Sequence, residues 1–420
     1  MQKRYASHIQ YNMRILVFGI NYAPELTGIG KYTGEMCEWL AAEGHEVNMI
    51  TAMPYYPEWS VHPSYKGKWW HTEKMNGVNV HRCPLYVPKD VSAMKRIIHE
   101  FTFLLSSLVY WLKFFFGKKQ DVVMCIVPAF HLGFLSLLYS KIRGAKMIYH
   151  VQDLQVDAAK QLDLIKNKTF LNLLFKMEYF ILKHSTYVST ISKGMLNKIL
   201  QKGIPEAKTF MLYNWVDTQH IRPLPASESL RSRLGLTPAD KVVVYSGNLG
   251  EKQGLEIIVE AATTLHDVKF LIFGSGGGKE KLQELVKQSG VTNVSFYGFL
   301  PYAELPNLLA TGDIHLVLQK SSAADLVMPS KLTSILAAGG CSIVTALPGT
   351  SLYDIIHENS MGLLIAPDSA ALLTECIANA FNSDLDAIRA NAREYARQNL
   401  DKDFILKRFD TFLNSQTGKA

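Results

Sequence analysis

The sequence has few cysteines, and they are not arranged for a metal site or a disulfide framework. The 420 residues contain neither a CxxC pair nor a histidine-rich cluster. The five cysteines are Cys37, Cys83, Cys125, Cys341 and Cys376. Structural zinc sites and disulfide-rich folds need closely spaced cysteines, so both are disfavoured. Scattered cysteines are typical of a reducing compartment, and we expect a cytoplasmic protein.

The N-terminus lacks the apolar core of a secretory signal. The first twelve residues, MQKRYASHIQYN, are mostly polar and lead into the hydrophobic residues 13–19. A signal peptide needs an uninterrupted apolar segment, so none is predicted here. Either residues 1–12 are a short arm before the first strand, or Met13 is the biological start.

One apolar run stands out, residues 101–116, FTFLLSSLVYWLKFFF. It is shorter than the roughly 20 residues that cross a bilayer, and Lys113 interrupts it. Basic pairs lie nearby at 95–96 and 118–119. Two interpretations stay open. The run is either a buried helix on a sheet, or an interfacial helix whose aromatic residues enter lipid while its lysines meet anionic headgroups.

Acidic residues are scarce in the first half of the chain. Residues 1–200 hold 24 Lys and Arg against 14 Asp and Glu, a net of +10, whereas residues 201–420 hold 20 against 23, a net of −3. This asymmetry indicates an anionic partner for the first half: nucleic acid, a phospholipid surface or a phosphorylated substrate. Nucleic acid is disfavoured, because no basic stripe is interleaved with stacking aromatic residues.

Short apolar runs alternate with helical stretches along the whole chain. The strand candidates are 13–21, 46–52, 78–83, 121–128, 146–152, 186–191, 241–247, 268–274, 294–299, 314–319, 341–346 and 362–366. Most are apolar without alternation, as expected for parallel strands covered on both faces. The sequence therefore predicts an α/β protein with two Rossmann-like domains.

The predicted domains are residues 1–215 and 226–400, separated by the proline-containing stretch 213–225. We expect a C-terminal helix at about 403–420 to pack back on the first domain. Ligands of open α/β sheets bind at the carboxyl ends of the strands. The expected site is therefore the cleft between the two domains.

A glycine-rich connection follows the first predicted strand. Gly28, Gly30 and Gly34 have GxGxxxG spacing, with Lys31 beside them. This is not the dinucleotide-binding GxGxxG. Glycines at a helix N-terminus allow a phosphate or sugar to approach the backbone. The alternative is an ordinary tight turn.

Two further glycine-rich turns end strands of the second half. Gly247 and Asn248 lead to Lys252, a combination that suits a diphosphate, unless the lysine is merely solvated. Residues 274–278 contain four glycines, including Gly274 and Gly276. These predict close approach of the backbone to a ligand, with a surface loop as the alternative.

Residues 328–340, MPSKLTSILAAGG, predict a helix start beside a strand end. Ser330 is expected to cap the helix and to leave Lys331 in its first turn. A cation there opposes the helix dipole, which makes sense if an anion binds. Otherwise the lysine extends into solvent.

Asp153 follows the strand candidate 146–152 at its carboxyl end. Its carboxylate could bind a sugar hydroxyl or stabilise positive charge at a reacting carbon. It could equally cap the next helix. His150, within the strand, is expected to be a core histidine.

Together these motifs resemble GT-B glycosyltransferases of the retaining family 4 type, over essentially the whole chain from Met13. The stretches that carry the resemblance are GINYAPELTGIGKYTGEM (19–36), YNWVD (213–217), SGNLGEKQGLE (246–256) and MPSKLTSILAAGG (328–340). Within the family the chain is most similar to transferases of fucose, fucosamine and other deoxysugars in exopolysaccharide of the colanic acid type, O-antigen and capsule assembly.

The resemblance implies a C-terminal domain that binds a GDP- or UDP-sugar donor. The N-terminal domain would bind an undecaprenyl-diphosphate-linked glycan at the inner-membrane face. The anomeric configuration would be retained, with no cofactor and no obligatory metal ion. The protein would be cytoplasmic and peripherally associated with the inner membrane.

Two departures from the family pattern concern the donor site. Where many relatives have Arg and Lys four residues apart, this chain has Asn248 and Lys252, so Lys331 would supply the second charge. Many relatives have two glutamates in an E-x7-E pair. In this chain Ser334 stands at the position of the second glutamate. The acidic residue nearest to the position of the first glutamate is Asp325, one residue away from it. We interpret this as a variant site.

The resulting hypothesis assigns catalytic roles to Asp153, Lys252 and Asp325. Lys252 and Lys331 would stabilise the leaving diphosphate, Asp153 would orient the sugar, and Asp325 would meet donor hydroxyls. Donor-binding residues would be Gly247, Asn248, Lys252, Gly274, Gly276, Ser330, Lys331 and Ser334. The alternatives are a sugar-nucleotide 2-epimerase and a non-catalytic, membrane-associated nucleotide-sugar binder.

Overall fold

The computed structural model describes residues 13–25, 28–90, 92–161, 165–321 and 329–418. The chain divides into two compact units. Unit 1 is Met1–Tyr213 with Leu406–Ala420, and unit 2 is Asn214–Ile405. The division falls at the beginning of the stretch 213–225, where the sequence interrupts its alternation of strands and helices.

Unit 1 contains an eight-stranded sheet in the order β3-β4-β2-β1-β5-β6-β7-β8. The strands are β1 (Arg14–Phe18), β2 (Glu46–Ala52), β3 (His71–Met75), β4 (Val78–Cys83), β5 (Val122–Val127), β6 (Lys146–Val151), β7 (Tyr187–Thr190) and β8 (Thr209–Met211). Every neighbouring pair is parallel except β3 and β4. The parallel strands predicted from the first half of the sequence are confirmed, whereas β3 and β8 were not predicted.

The helices of unit 1 cover the sheet. They are α1 (Gly28–Ala42), α2 (Ala93–Phe116), α3 (Gly133–Arg143), α4 (Gln155–Gln161), α5 (Lys168–His184) and α6 (Lys193–Gln201). Phe18 of β1 stacks on Phe103 at 5.5 Å between ring centroids and meets the edge of Trp111 at 5.1 Å. Burial of each such ring contributes about 2–3 kcal/mol, so α2 is firmly attached to the sheet.

Helix α2 is longer than the apolar run that predicted it, and its two faces differ. The Ser92 side chain caps its N-terminus by accepting a hydrogen bond from Lys95 N. One face is buried in the core through Phe103 and Trp111. The other exposes Met94, Ile97, Ile98, Phe101, Leu105, Leu108, Val109, Leu112 and Phe116. The buried interpretation is therefore confirmed for one face, and the interfacial interpretation stays a prediction for the other.

In the part of the chain that the structure describes, one helix is long and apolar enough to cross a membrane. It is Met94–Phe116, with a mean hydropathy of 1.2. Because Phe103 and Trp111 on this helix are buried in the unit 1 core, length and composition alone do not make it a membrane span.

Unit 2 contains a six-stranded parallel sheet in the order β11-β10-β9-β12-β13-β14. Its strands are β9 (Lys241–Ser246), β10 (Val268–Phe273), β11 (Val294–Tyr297), β12 (Ile314–Val317), β13 (Cys341–Thr345) and β14 (Leu363–Ile365). The helices are α7 (Glu256–Ala262), α8 (Lys279–Ser289), α9 (Leu305–Leu309), α10 (Ser330–Ala337), α11 (Ser351–Glu358), α12 (Ala370–Phe381) and α13 (Asp386–Tyr395). The last helix, α14 (Lys402–Thr417), begins in unit 2. All six strands match predicted segments.

From Leu406 onward, α14 belongs to unit 1. Asp410 Oδ1 lies 2.8 Å from His45 Nε2, and the Phe412 ring stacks on Phe210 at 4.4 Å. These contacts attach the end of the chain to the loop before β2 and to β8.

Arg393 of α13 anchors helix α10 within unit 2. Its guanidinium donates hydrogen bonds to the carbonyls of Ala337, Ile221 and Thr218 at 2.6, 3.0 and 3.1 Å. A cation at a helix C-terminus is favourable because the free carbonyls carry negative charge. This contact fixes the far end of the helix whose first turn carries Lys331.

Candidate active site

The glycines at the start of α1 make room for side chains of the preceding loop. A Cβ placed on Gly30 would lie 2.6 Å from Glu25 Oε2, and one on Gly34 would lie 3.0 Å from Ala23 Cβ. Gly28 has a φ of +61° and begins the helix. Two of the three predicted glycines are thus explained by contacts within the chain.

Glu25, which was not a predicted site residue, connects this loop to the segment after β2. Its Oε1 accepts hydrogen bonds from the backbone of Tyr55 at 3.2 Å and Tyr56 at 3.1 Å, and its Oε2 accepts one from Asn21 Nδ2 at 3.0 Å. Burial raises the pKa of Glu25 to about 7, and the hydrogen bonds partly oppose that rise. The sequence did contain a signal for this role of Glu25, because an acidic residue in a largely apolar strand-to-helix loop needs hydrogen-bond donors around it.

A cavity of about 250 Å³ opens in unit 1 beside this loop. It is lined by Gly28, Gly30 and Asp153, three predicted site residues. Tyr55, Tyr56 and Trp59 supply aromatic surface. Lys31 is not part of this lining; its Nζ lies 3.8 Å from Glu35 Oε1 on the same helix. The structure therefore brings Asp153 to the glycine turn and directs Lys31 along α1.

Helix α2 contributes Arg96, His99 and Glu100 to the same cavity. Glu100 Oε1 accepts hydrogen bonds from Gln155 Nε2 at 2.9 Å and Arg96 Nε at 3.3 Å, while burial raises the pKa of Glu100. His99 Nδ1 lies 2.6 Å from the carbonyl of Tyr86, and burial lowers the pKa of His99. Aromatic rings with convergent polar groups suit a polyhydroxylated ligand such as a sugar.

His150 is buried in β6, as expected for a core histidine. Its Nδ1 lies 2.8 Å from Ser189 Oγ, and burial lowers the pKa of His150 to about 3.

In unit 2 the loops after β9 and β10 are joined backbone to backbone. Gly247 N donates to Phe273 O at 2.9 Å, Leu249 N donates to Ser275 O at 2.9 Å, and Gly278 N donates to Leu249 O at 2.7 Å. The loops at these two strand ends are therefore held together as a pair of turns.

This pairing requires glycine at Gly274 and Gly276. A Cβ on Gly274 would lie 1.9 Å from Gly247 O, and one on Gly276 would lie 2.7 Å from Leu249 O. Both residues also have φ near +150°, which disfavours other side chains. The close backbone approach predicted for residues 274–278 is thus an approach to the neighbouring loop. Ligand contact by these glycines stays a prediction.

Helix α10 begins at Ser330, and Pro329 occupies the capping position without a side-chain cap. The expectation that Ser330 caps this helix was therefore wrong: the rigid proline already sets the entry of the chain. Lys331 lies in the first turn, as predicted. Ser334, one turn later, is half-buried, and its carbonyl accepts a hydrogen bond from Ala338 N.

Lys331 is the outstanding electrostatic feature of unit 2. Its Nζ lies 3.7 Å from the centre of the Tyr245 ring and 3.0 Å from where a Cβ of Gly247 would be. The amine is buried and has no hydrogen-bond partner among the described residues. Burial lowers the pKa of Lys331 to about 7. A buried ammonium at a helix N-terminus is costly unless an anion joins it.

The other predicted donor-site residues differ in their surroundings. The Asn248 carbonyl accepts a hydrogen bond from Tyr245 Oη at 2.7 Å, which orients the turn. Lys252 is exposed in a short turn at Glu251–Gln253, and its carbonyl accepts a hydrogen bond from Lys320 N at 2.9 Å. Asp325 lies outside the described residues. The roles of Lys252 and Asp325 stay predictions.

An ion pair near this turn, between Lys320 and Glu256, was not predicted from the sequence. Lys320 Nζ lies 2.5 Å from Glu256 Oε1, which lowers the pKa of Glu256 and raises that of Lys320. The two residues lie on different elements 64 positions apart (320 − 256), so no local pattern signals the pair. Within the described ranges, no three His, Cys, Asp or Glu side chains are grouped to hold a metal ion. Metal independence stays a prediction.

Two family models match the chain. Residues 27–215 match the glycosyl transferase 4-like domain, and residues 226–399 match glycosyl transferases group 1. The chain is 42% identical to the Escherichia coli protein named as colanic acid biosynthesis glycosyl transferase WcaI, over 94% of this chain and 98% of that protein.

Solved structures share the fold at low sequence identity. Sucrose-phosphate synthase from Thermosynechococcus elongatus has a TM-score of 0.76 at 16% identity, covering 97% of this chain and 100% of that one. HepE from Anabaena, in complex with UDP, has a TM-score of 0.71 at 15% identity, covering 96% and 100%. The chain therefore belongs to the GT-B glycosyltransferases, with a glycosyl transferase 4-like N-terminal domain and a C-terminal domain of the group 1 type.

Proposed function

We propose that this glycosyltransferase transfers fucose or a related deoxysugar from a nucleotide diphosphate sugar to a lipid-linked glycan. The pathway would be exopolysaccharide assembly of the colanic acid type, or the related assembly of O-antigen or capsule. The similarity to WcaI supports the colanic acid setting. The UDP complex of HepE supports a nucleotide sugar as donor.

The buried amine of Lys331 carries the proposal. It lies beside the Gly247 turn in the first turn of α10, where backbone N–H groups lack helical partners. A diphosphate bound there would supply the missing counter-charge and accept hydrogen bonds from those amides. Lys252, exposed in the neighbouring turn, matches the family's lysine and would be the other cation, while Lys331 would make up for the missing arginine.

The acceptor would bind unit 1, where the cavity combines aromatic rings with Asp153 and Glu100. Carboxylates can accept hydrogen bonds from sugar hydroxyls, and aromatic rings can cover the apolar face of a sugar ring. The acceptor would be an undecaprenyl-diphosphate-linked glycan at the inner-membrane surface.

The proposed reaction is a transfer with retained configuration. The acceptor hydroxyl oxygen bonds to the anomeric carbon as the bond from that carbon to the diphosphate oxygen breaks. The hydroxyl proton passes to the departing phosphate oxygen on the same face. Lys331 and Lys252 stabilise the charge that develops on this oxygen. Asp153 and Asp325 would orient sugar hydroxyls.

Thermal stabilisation and transfer assays test the donor and the reaction. GDP-fucose, UDP-N-acetylfucosamine and UDP-galactose are compared, because a bound donor raises the melting temperature by mass action. The stabilising donor, radiolabelled in its sugar, is then incubated with the protein and with membranes that contain lipid-linked glycans. We expect label in the lipid-extractable glycan. Label recovered only as an epimerised nucleotide sugar, or binding without turnover, would contradict the proposal.

A further inference from the structure

Helix α2 carries a continuous apolar stripe on its solvent side. Ile98, Phe101, Leu105, Leu108, Leu112 and Phe116 are exposed and recur every three or four residues. From Ile98 to Phe116, at 1.5 Å per residue, the stripe is about 27 Å long. Singly exposed apolar residues are ordinary, whereas a contiguous stripe of this length marks an interaction surface.

The stripe continues onto neighbouring helices of unit 1. Helix α3 contacts both α2 and α5. It exposes Leu138 and Ile142, and α5 exposes Phe170, Leu173 and Phe180. We call the exposed apolar residues of α2, α3 and α5 the three-helix surface.

The charges on these three helices that are not buried are all positive. They are Lys95, Arg96 and Lys113 on α2, Lys141 and Arg143 on α3, and three lysines on α5. The two acids within these helices, Glu100 and Glu178, are buried, and Glu178 forms an ion pair with Lys202. Asp90, just before α2, is exposed and lies 4.0 Å from Lys95. The helices themselves carry only cations beside their apolar side chains, and such a surface is complementary to an anionic one.

An exposed tryptophan pair lies beside α2. Trp69 and Trp70 stack at 6.2 Å, with 70% and 45% of their surface exposed. Trp70 Nε1 donates a hydrogen bond to Ser106 O of α2 at 2.8 Å, so the pair is attached to the edge of the stripe. Tryptophan, whose ring system has a polar N–H and an otherwise apolar surface, is enriched where lipid meets water.

We infer that the three-helix surface lies on an anionic phospholipid bilayer, with the Trp69–Trp70 pair at the headgroup level. A second copy of the chain fits less well, because a symmetric contact would oppose cations to cations. The inference rests on the proposed function in one respect, the lipid-linked acceptor. Arg96, His99 and Glu100 of the same helix line the unit 1 cavity, so a docked α2 would hold that cavity at the lipid surface.

Vesicle sedimentation without donor or acceptor tests the surface separately from the reaction. The full chain is mixed with vesicles of phosphatidylcholine alone, or of phosphatidylcholine and phosphatidylglycerol in equal parts. The test variant is Leu105→Glu with Leu112→Glu, at side chains that are 63% and 58% exposed. The matched control is Leu372→Glu, an exposed leucine on α12 of unit 2.

We expect binding to the anionic vesicles only. The double variant should bind about 100-fold more weakly, roughly tenfold for each leucine withdrawn from lipid, and the control should bind like the wild type. Brominated lipid should quench tryptophan fluorescence, and the Trp69→Phe, Trp70→Phe variant should lose part of that quenching. Circular dichroism and melting curves establish that each variant is folded.

Several outcomes would overturn the inference. They are absence of vesicle binding by the wild type, equal binding by the double variant and the wild type, and concentration-dependent dimers that the double variant abolishes. Vesicle binding without sugar transfer would contradict only the proposed function, and transfer to a water-soluble acceptor without vesicle binding would contradict only this inference.

Discussion

The candidate sites of the two units are held together by different means. In unit 2, the turns after β9 and β10 are joined through backbone groups, and one buried amine, that of Lys331, stands beside them. In unit 1, the cavity is held by side chains, above all Glu25, which binds two backbone N–H groups, and Glu100, which binds Arg96 and Gln155.

This difference matches the two kinds of ligand that the proposed reaction requires. Every nucleotide diphosphate sugar carries the same diphosphate, and backbone amides with one cation can bind it whatever the sugar. Acceptor glycans differ in their hydroxyls, and under the proposed function these would be distinguished by side chains such as Asp153 and Glu100. Changes of specificity should therefore arise more readily in the unit 1 cavity than in the paired turns of unit 2.

Replacing Lys331 tests the charged part of the unit 2 site and should have the largest effect. Lys331→Met keeps the length of the side chain but removes the cation that would stabilise the leaving phosphate. We expect kcat/KM to fall by about 100-fold or more, on the order of 3 kcal/mol in the transition state. Initial rates with labelled donor measure this. The control is Lys287→Met, an exposed lysine on α8, and equal rates for the two variants would refute the role of Lys331.

A pair of glycine variants tests whether the unit 2 turns depend on backbone contact. Gly274→Ala would place a methyl group 1.9 Å from Gly247 O, whereas Gly277→Ala meets nothing within 4 Å. We expect Gly274→Ala to lower the free energy of unfolding by about 3 kcal/mol or more, and Gly277→Ala to change it by less than about 0.5 kcal/mol. Urea denaturation measures both. Similar free energies of unfolding for the two variants would show that the turns after β9 and β10 can move apart at little cost.

The corresponding test in unit 1 removes a side chain. Glu25→Ala leaves the N–H groups of Tyr55 and Tyr56 without their acceptor, and we expect a loss of about 2 kcal/mol of stability. Because both tyrosines line the cavity, KM for the acceptor should rise while KM for the donor stays constant. Glu58→Ala, at an exposed acid in the same segment, is the control. If KM for the donor rose instead, the assignment of the acceptor to unit 1 and of the donor to unit 2 would be contradicted.

The pH dependence of donor binding gives the smallest expected effect. In the free protein the pKa of Lys331 is about 7, and a bound diphosphate must raise it because the anion favours the ammonium form. Donor affinity should therefore be constant below pH 7 and fall by up to about tenfold by pH 8. Titration calorimetry from pH 6 to pH 8 measures this. Lys331→Met should remove the dependence, and an unchanged profile in that variant would assign it to another group.

The parallel strands were predictable because strands covered on both faces must be apolar throughout, as in RILVF of β1 and KVVVYS of β9. Strand β3 was missed because HTEKM is polar and half-exposed, and because it pairs antiparallel at the edge of the sheet. Neither property produces an apolar run of the kind that indicates the other strands in the sequence.

The candidate sites were predictable in position more than in composition. Strand-end loops carried the glycines and Lys331, so a local pattern could find them. Arg96, His99 and Glu100 lie in an apolar helix far along the chain from Asp153, and only the packing of α2 brings them to it. A glycine pattern also shows that something comes close without showing whether it is a ligand or, as for Gly274, another stretch of backbone.

The buried amine of Lys331 has a consequence for flux through the enzyme. It would recognise the diphosphate, which remains on the leaving group after the sugar has gone. A released nucleoside diphosphate carries more negative charge than the intact donor, so this amine should retain the product at least as firmly as it binds the substrate. The enzyme should then be slowed by its own product, and its output in the cell should follow how fast other enzymes remove that nucleotide.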